Sequence, residues 1–193
     1  MDGTPGETKP HNFNESLAFS HSCDKLPFWE DCYRQAFPTF QTMINHREDG
    51  DHQRQGIDRS VILTNAKQLW IDEKARGRNR KTGKVYDDVA LEYWSDVERQ
   101  QPGWVCKPLL CDFIAYAIVP KGICYLLPVQ PLQNSWLRNK DFWLSTYGHR
   151  NAPNETNGHK WTTKFCPVPP QVLFPAIGQC LRITFEPILD FTE

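Results

Sequence analysis

The chain has 193 residues, of which 39% are hydrophobic and 23% charged, with a formal net charge of −1. A packed core is feasible, global disorder is excluded, and one domain is expected for this length. The near-zero charge excludes a histone-like binder, so any nucleic-acid contact must come from a local patch.

Residues 1–12 are polar with Gly and Pro, which predicts a disordered tail ahead of one domain over 13–193. Asp24 and Pro27 mark a helix start. Trp29, Cys32, Tyr33, Ala36 and Phe37 then share one apolar face. Pro38 ends or kinks this helix, and Thr39 to Asn45 can continue it. His46 to Gln55 has no apolar side chain and reads as a loop. GIDRSVILT and KQLWIDEKAR read as two strands joined by a turn at TNAK.

RGRNRKTGK is a basic connection, and DDVALEYWS is a third strand in which Val89, Leu91 and Tyr93 alternate with Ala90, Glu92 and Trp94. CDFIAYAIV is apolar enough for helix or strand; its β-branched and aromatic content and the turn at 120–122 favour a strand paired with GICYLLPV. Pro131 to Tyr147 has helical spacing, with Gly148 as its C-terminal cap. HRNAPNETNGHK reads as a loop, VPPQVLF as a helix entry and LRITF as a final strand. The order predicts an α/β or α+β fold.

The seven cysteines include no CxxC pair, and the histidines are scattered, which argues against a structural zinc site. The N-terminal stretch has no apolar run of the signal-peptide type, so a cytoplasmic chain with free thiols is expected. The longest uncharged stretch, Phe165 to Leu181, is broken by prolines, so no membrane span is expected.

The chemistry points to Asp58, Asp72 and Lys74. Side chains alternate faces along a strand, so Asp72 and Lys74 share one face. A carboxylate from the neighbouring strand, Asp58, can complete a site for a hard divalent cation such as Mg²⁺ or Mn²⁺. Such an ion with a lysine beside it suits phosphodiester hydrolysis. Register decides whether this works. A two-residue turn at Asn65-Ala66 puts Asp58 opposite Glu73, on the wrong face. A three-residue loop, Asn65 to Lys67, or a bulge puts Asp58 opposite Lys74. The site therefore requires an odd loop.

Other candidates surround these three. Glu73 is either a partner of Arg76 or Arg78, or itself a ligand. Glu92 sits in an apolar strand, where a carboxylate needs a partner or a metal; it reaches the site if its strand lies beside Asp72. Glu30, on the first helix, is a further carboxylate. Lys74 to Lys84 holds six cations in eleven residues, with no acid. Arg76, Arg78, Arg80, Lys81 and Lys84 are its candidate phosphate contacts. Trp161, in GHKWTTK, is the candidate base-stacking ring; Trp136 and Trp143 share a helical face and are expected in the core.

Together the segments QRQGIDRSVIL, QLWIDEKAR, VALEYWSD, GWVCKPLLCDFIAYAI, YLLPV and TTKFCPVPP resemble the PD-(D/E)XK, or restriction-endonuclease-like, nuclease superfamily, and its small phage- and prophage-encoded members most closely. The likeness runs from about Phe28 to Leu173. It implies a restriction-endonuclease-like core, a central mixed β-sheet flanked by helices. Asp58 and Asp72 match the two acidic positions and Lys74 the lysine. It implies a Mg²⁺- or Mn²⁺-dependent endo- or exonuclease acting on DNA, with RNA an open substrate, often as a homodimer. Two departures stand out: Gly56-Ile57 rather than Pro precedes Asp58, and the middle residue of D-X-K is the charged Glu73. The rival is a catalytically silent nuclease fold that binds nucleic acid or a host protein.

Overall fold

The computed structural model describes residues 11–12, 22–23, 25–79 and 82–192. It is a mixed α/β structure. Of the stretch read as a tail, residues 1–10 lie outside the described residues, and β1 (His11–Asn12) is a two-residue strand. Then come α1 (Phe28–Ala36), β2 (Phe40–Asn45), the short α2 (Gly50–Arg54), β3 (Arg59–Leu63) and β4 (Gln68–Arg76). The second half holds β5 (Val89–Asp96), β6 (Gln101–Pro102), β7 (Phe113–Ile118), β8 (Ile123–Pro128), α3 (Val129–Tyr147), β9 (Arg150–Thr156), β10 (His159–Val168), α4 (Pro170–Ile177) and β11 (Leu181–Thr184).

One mixed sheet has six strands in the order β11-β8-β7-β4-β3-β2, with β4 and β7 parallel and the other neighbours antiparallel. A second sheet runs β1-β9-β10-β5-β6. Helix α1 lays Trp29, Cys32 and Tyr33 on one face of the six-stranded sheet, against Ile71, Ala115, Ala117 and Leu126. The other face packs Ile114, Tyr116 and Leu127 against Leu91 and Val168 of the second sheet and Trp136 and Trp143 of α3. Strand β7 is thus covered on both sides, which explains why its sequence is apolar without alternation. No helix among the described residues is long and apolar enough to cross a membrane.

Three local expectations change. Thr39 to Asn45 does not extend the first helix. After Pro38 the chain becomes the edge strand β2, which pairs with the N–H and C=O groups along one side of β3. The polar stretch 46–55 is not all loop, because Asp49 caps α2 by accepting the Asp51 and His52 amides. Nor is HRNAPNETNGHK a loop. It forms the hairpin β9–β10, turning at Asn157-Gly158 with φ of 48° and 76°. Positive φ at both central residues is the type I′ turn that Asn-Gly favours.

Candidate metal and phosphodiester site

The β3–β4 connection sets the site. The Leu63 amide donates to the Lys67 carbonyl and the Ala66 amide to the Leu63 carbonyl, both at 2.9 Å, so Thr64 to Ala66 form a three-residue loop. Ala66 takes the left-handed position, φ 61°. This is the odd loop the site requires, one residue earlier than Asn65 to Lys67. Arg59 pairs with Ile71 and the Asp58 amide donates to the Ile71 carbonyl, so one more step sets Asp58 opposite Asp72 rather than Lys74.

Asp58 and Asp72 meet on the face that looks toward the second sheet. Asp72 Oδ1 lies 2.7 Å from Lys74 Nζ. Burial, with the Asp58 carboxylate beside it, pushes the Asp72 carboxyl up to about 6 despite Lys74. The Asp58 carboxyl is within hydrogen-bonding reach of Asp72, which adds to this rise. Burial alone would lower the Lys74 ammonium, but the Asp72, Asp58 and Glu92 carboxylates outweigh it and hold Lys74 above its ordinary value. The Asp72 side chain is 6% exposed and that of Lys74 is 32%, so the site opens to solvent on the lysine side.

Asp58 is held from three directions. Its Oδ2 accepts the Glu73 amide at 2.8 Å and lies 3.2 Å from Arg47 Nη2, while Oδ1 accepts Gln53 Nε2 at 3.0 Å. Arg47 and Gln53 are neighbours of the candidate site that the sequence reading missed. Their only signal was position, a wholly polar run just before Asp58.

Glu92 arrives by another route than expected. Its strand, β5, is not beside β4 but belongs to the second sheet. The packing of the two sheets still brings Glu92 within range of Lys74. Burial raises the Glu92 carboxyl, and Lys74, Lys107 and the Trp104 amide oppose that rise. Lys107 was also missed. It is carried by the turn that starts at Gly103, where the Lys107 amide donates to the Gly103 carbonyl at 2.9 Å.

Two carboxylates fall elsewhere. The Glu73 side chain is on the opposite face, beneath α1. It accepts Tyr33 Oη at 2.5 Å, Arg59 Nε at 2.7 Å and Arg59 Nη2 at 3.1 Å. Its partners are therefore Arg59 and Tyr33, with Arg47 at 3.5 Å, not Arg76 or Arg78. Glu30 pairs with Arg34 one helical turn on, at 2.5 Å, on the exposed side of α1. Because α1 covers the face away from Asp58 and Asp72, Glu30 is not brought to them.

The basic segment is more structured than a flexible arm. Arg76 donates to Tyr116 Oη at 3.1 Å and stacks over the Tyr86 ring at 3.9 Å. Arg78 donates to the Leu189 carbonyl at 2.6 Å and the Gly83 carbonyl at 3.2 Å. Lys84 is exposed, and Arg80 and Lys81 lie outside the described residues. Trp161 sits on β10, half-buried and stacked on His159 at 5.6 Å. No family model, no curated protein and no solved structure matches the chain.

Proposed function

We propose that this chain is a metal-dependent nuclease with a restriction-endonuclease-like core, hydrolysing phosphodiester bonds in DNA. The observation that carries the reading is the meeting of Asp58 and Asp72, from neighbouring strands, on one face beside Lys74. Asp58 and Asp72 would hold Mg²⁺ or Mn²⁺. Their oxygens suit a hard cation, and the raised proton affinity of Asp72 marks a place that takes added positive charge. An ion bound there supplies charge stabilisation at phosphate and a water of lowered pKa.

The chain's own groups do the rest. Lys74, kept charged by three carboxylates, neutralises the developing phosphorane charge or positions the attacking water. Glu92 orients Lys74 from the second sheet. Arg76 projects from the same face of β4 as Lys74 and, with Arg78, Arg80, Lys81 and Lys84, grips the strand backbone. Trp161 stacks on a base.

One observation favours the silent binding protein instead. Arg47 and Lys74 already sit against Asp58 and Asp72, at 3.2 Å and 2.7 Å, and supply positive charge without a metal. Digestion separates the two readings. Linear, branched and single-stranded DNA and RNA are incubated with Mg²⁺, Mn²⁺ or EDTA, using the wild type, Asp72→Asn and Lys74→Ala. Cleavage that needs the ion and both residues supports the nuclease. Binding without cleavage supports the silent protein, and cleavage in EDTA overturns the mechanism.

A further inference from the structure

Among the described residues, a cluster of metal-ligating side chains lies outside the carboxylate pair. His46, Asp49 and His52 each offer a ligand atom, and these atoms all lie within 4.8 Å of one another. They come from one short segment, the end of β2 and the start of α2. Asp49 Oδ2 is 2.8 Å from His52 Nδ1. Two ligands about 2.0–2.1 Å from one tetrahedral ion stand roughly 3.3 Å apart, so an ion can replace the proton between these atoms with little movement. His46 faces His52 with ring centroids 4.0 Å apart and planes 8° apart. Two imidazolium ions would repel in that stack. The neutral ring is the form that ligates a metal.

The surroundings resemble a built site. His46 Nε2 is 2.7 Å from Ser60 Oγ, and Ser60 Oγ accepts Gln68 Nε2 at 2.7 Å. Metal-ligating histidines generally carry such a partner on the other ring nitrogen, which fixes tautomer and orientation. Asp49 Oδ1 is held by the Asp51 and His52 amides, which leaves Oδ2 as the ligand oxygen. Arg47, the nearest cation in sequence, is turned away to Asp58 and Glu73.

We propose that His46, Asp49 and His52 form a second metal site, selective for zinc-class transition ions, beside the Asp58–Asp72 pair. Two imidazoles and a carboxylate suit zinc or cobalt far better than magnesium, which prefers oxygen. The ligands leave a tetrahedral ion one open position, the arrangement of a catalytic zinc rather than a structural one. Continuing the β2–β3 register sets His46 opposite Asp58, and Asp58 faces Asp72. The two sites thus lie in one row across the sheet, one preferring oxygen-seeking ions and the other nitrogen-seeking ions. Binding requires the stacked rings to splay so that both nitrogens point at one ion. The proposal stands whether or not the carboxylate pair cleaves nucleic acid.

The test is a Co²⁺ titration of the metal-stripped chain in excess Mg²⁺, read by visible absorption and followed by Zn²⁺ competition. One equivalent of Co²⁺ with nitrogen-ligand d–d bands, displaced by Zn²⁺ and retained in Asp72→Asn, is expected. Ser60→Ala should weaken binding roughly 10- to 100-fold. His46→Ala and His52→Ala should abolish the bands. Asp49→Asn keeps the helix cap but should weaken binding through its lost charge. Far-UV circular dichroism checks that each variant is folded. Absence of nitrogen-ligand bands, binding unchanged by both histidine variants, or binding lost in Asp72→Asn overturns the proposal.

Discussion

The Glu73 amide donates to the Asp58 carboxylate at 2.8 Å, yet the Glu73 side chain lies on the other face of the sheet from the Asp58–Asp72 pair. Backbone and side chain of one residue therefore lie on different sides of the sheet, with Arg47 Nη2 at the edge reaching both Asp58, at 3.2 Å, and Glu73, at 3.5 Å. The amide fixes an oxygen of the candidate metal pair. The carboxylate, fully buried, balances Arg59 beneath α1.

That division makes Glu73 a stability residue. Glu73→Ala leaves the buried Arg59 guanidinium uncompensated and should cost about 3–5 kcal/mol in urea unfolding. Tyr33→Phe loses a hydrogen bond to a charged group and should cost about 1.5–3 kcal/mol. Under the nuclease activity proposed above, Glu73→Gln should retain metal-dependent cleavage per folded molecule, because the amide that holds Asp58 remains. Loss of cleavage with unchanged folding would make Glu73 a ligand after all. Glu30→Ala, at an exposed helix pair, should stay within about 0.5 kcal/mol and leave cleavage unaltered.

The Asp58–Asp72 pair predicts an unusual pH dependence. Asp72 titrates at about 6 in the folded chain against 3.8 for an ordinary aspartate. The folded state therefore holds a proton that the unfolded state has released between these values. Its contribution to stability is fully present below about pH 4 and is lost as pH rises through 6. In EDTA at pH 7.5, Asp72→Asn, which mimics the protonated form, should melt higher than wild type. The gap should close as pH falls toward 4, and added Mg²⁺ should raise wild type alone. A variant that melts lower at pH 7.5, or a gap that widens in acid, refutes the raised proton affinity of Asp72.

Much of this site is legible in the chain, and the remainder is not, for physical reasons. Strand alternation alone places Asp72 and Lys74 on one face, and the parity argument fixes an odd loop. Which odd register is adopted depends on Ala66 accepting a left-handed φ, for which no Gly or Asn gives warning. The partner of Glu73 is Arg59, diagonal to it on the next strand, whereas local spacing suggests Arg76 or Arg78. Glu92 reaches Lys74 only through the packing of two sheets, a long-range relationship that no local period encodes. The polar strand β9 hides for the same reason. Its pairing comes from β10 and β1 rather than from an apolar face of its own, and Asn157-Gly158 was its one local signal.

Ala66 gives a stabilising prediction. A non-glycine residue in the left-handed region costs roughly 1–2 kcal/mol, of which glycine's greater unfolded entropy returns about half. Ala66→Gly should gain about 0.5–1 kcal/mol in urea unfolding with an unchanged slope. Under the proposed nuclease activity, cleavage should be unaffected, because the three-residue loop and the Asp58–Asp72 register are kept. A destabilised Ala66→Gly would mean that the loop has another conformation and that the register must be redrawn.

Gly103 tests the link between the sheets. A Cβ there would lie 2.3 Å from the Glu92 carbonyl oxygen and 2.7 Å from Glu92 Cγ, against backbone that cannot swing aside. The Gly103 amide also donates to the Tyr93 carbonyl at 3.0 Å, and the Val105 amide to the Glu92 carbonyl at 3.1 Å, so the turn is pinned to β5. Gly103→Ala must therefore move the turn, Glu92 or both. An overpacking cost of about 1–3 kcal/mol is expected in unfolding. The more telling readout is Lys74. Displacing Glu92 removes one of the three carboxylates that hold its ammonium above the ordinary value, so its pKa, followed by NMR of the labelled Nζ, should fall. Glu92→Gln should lower the Lys74 pKa in the same direction without the packing cost. If neither variant moves Lys74, the second sheet does not contribute to the site, and Glu92 is a half-buried carboxylate held by the Trp104 amide and Lys107 alone.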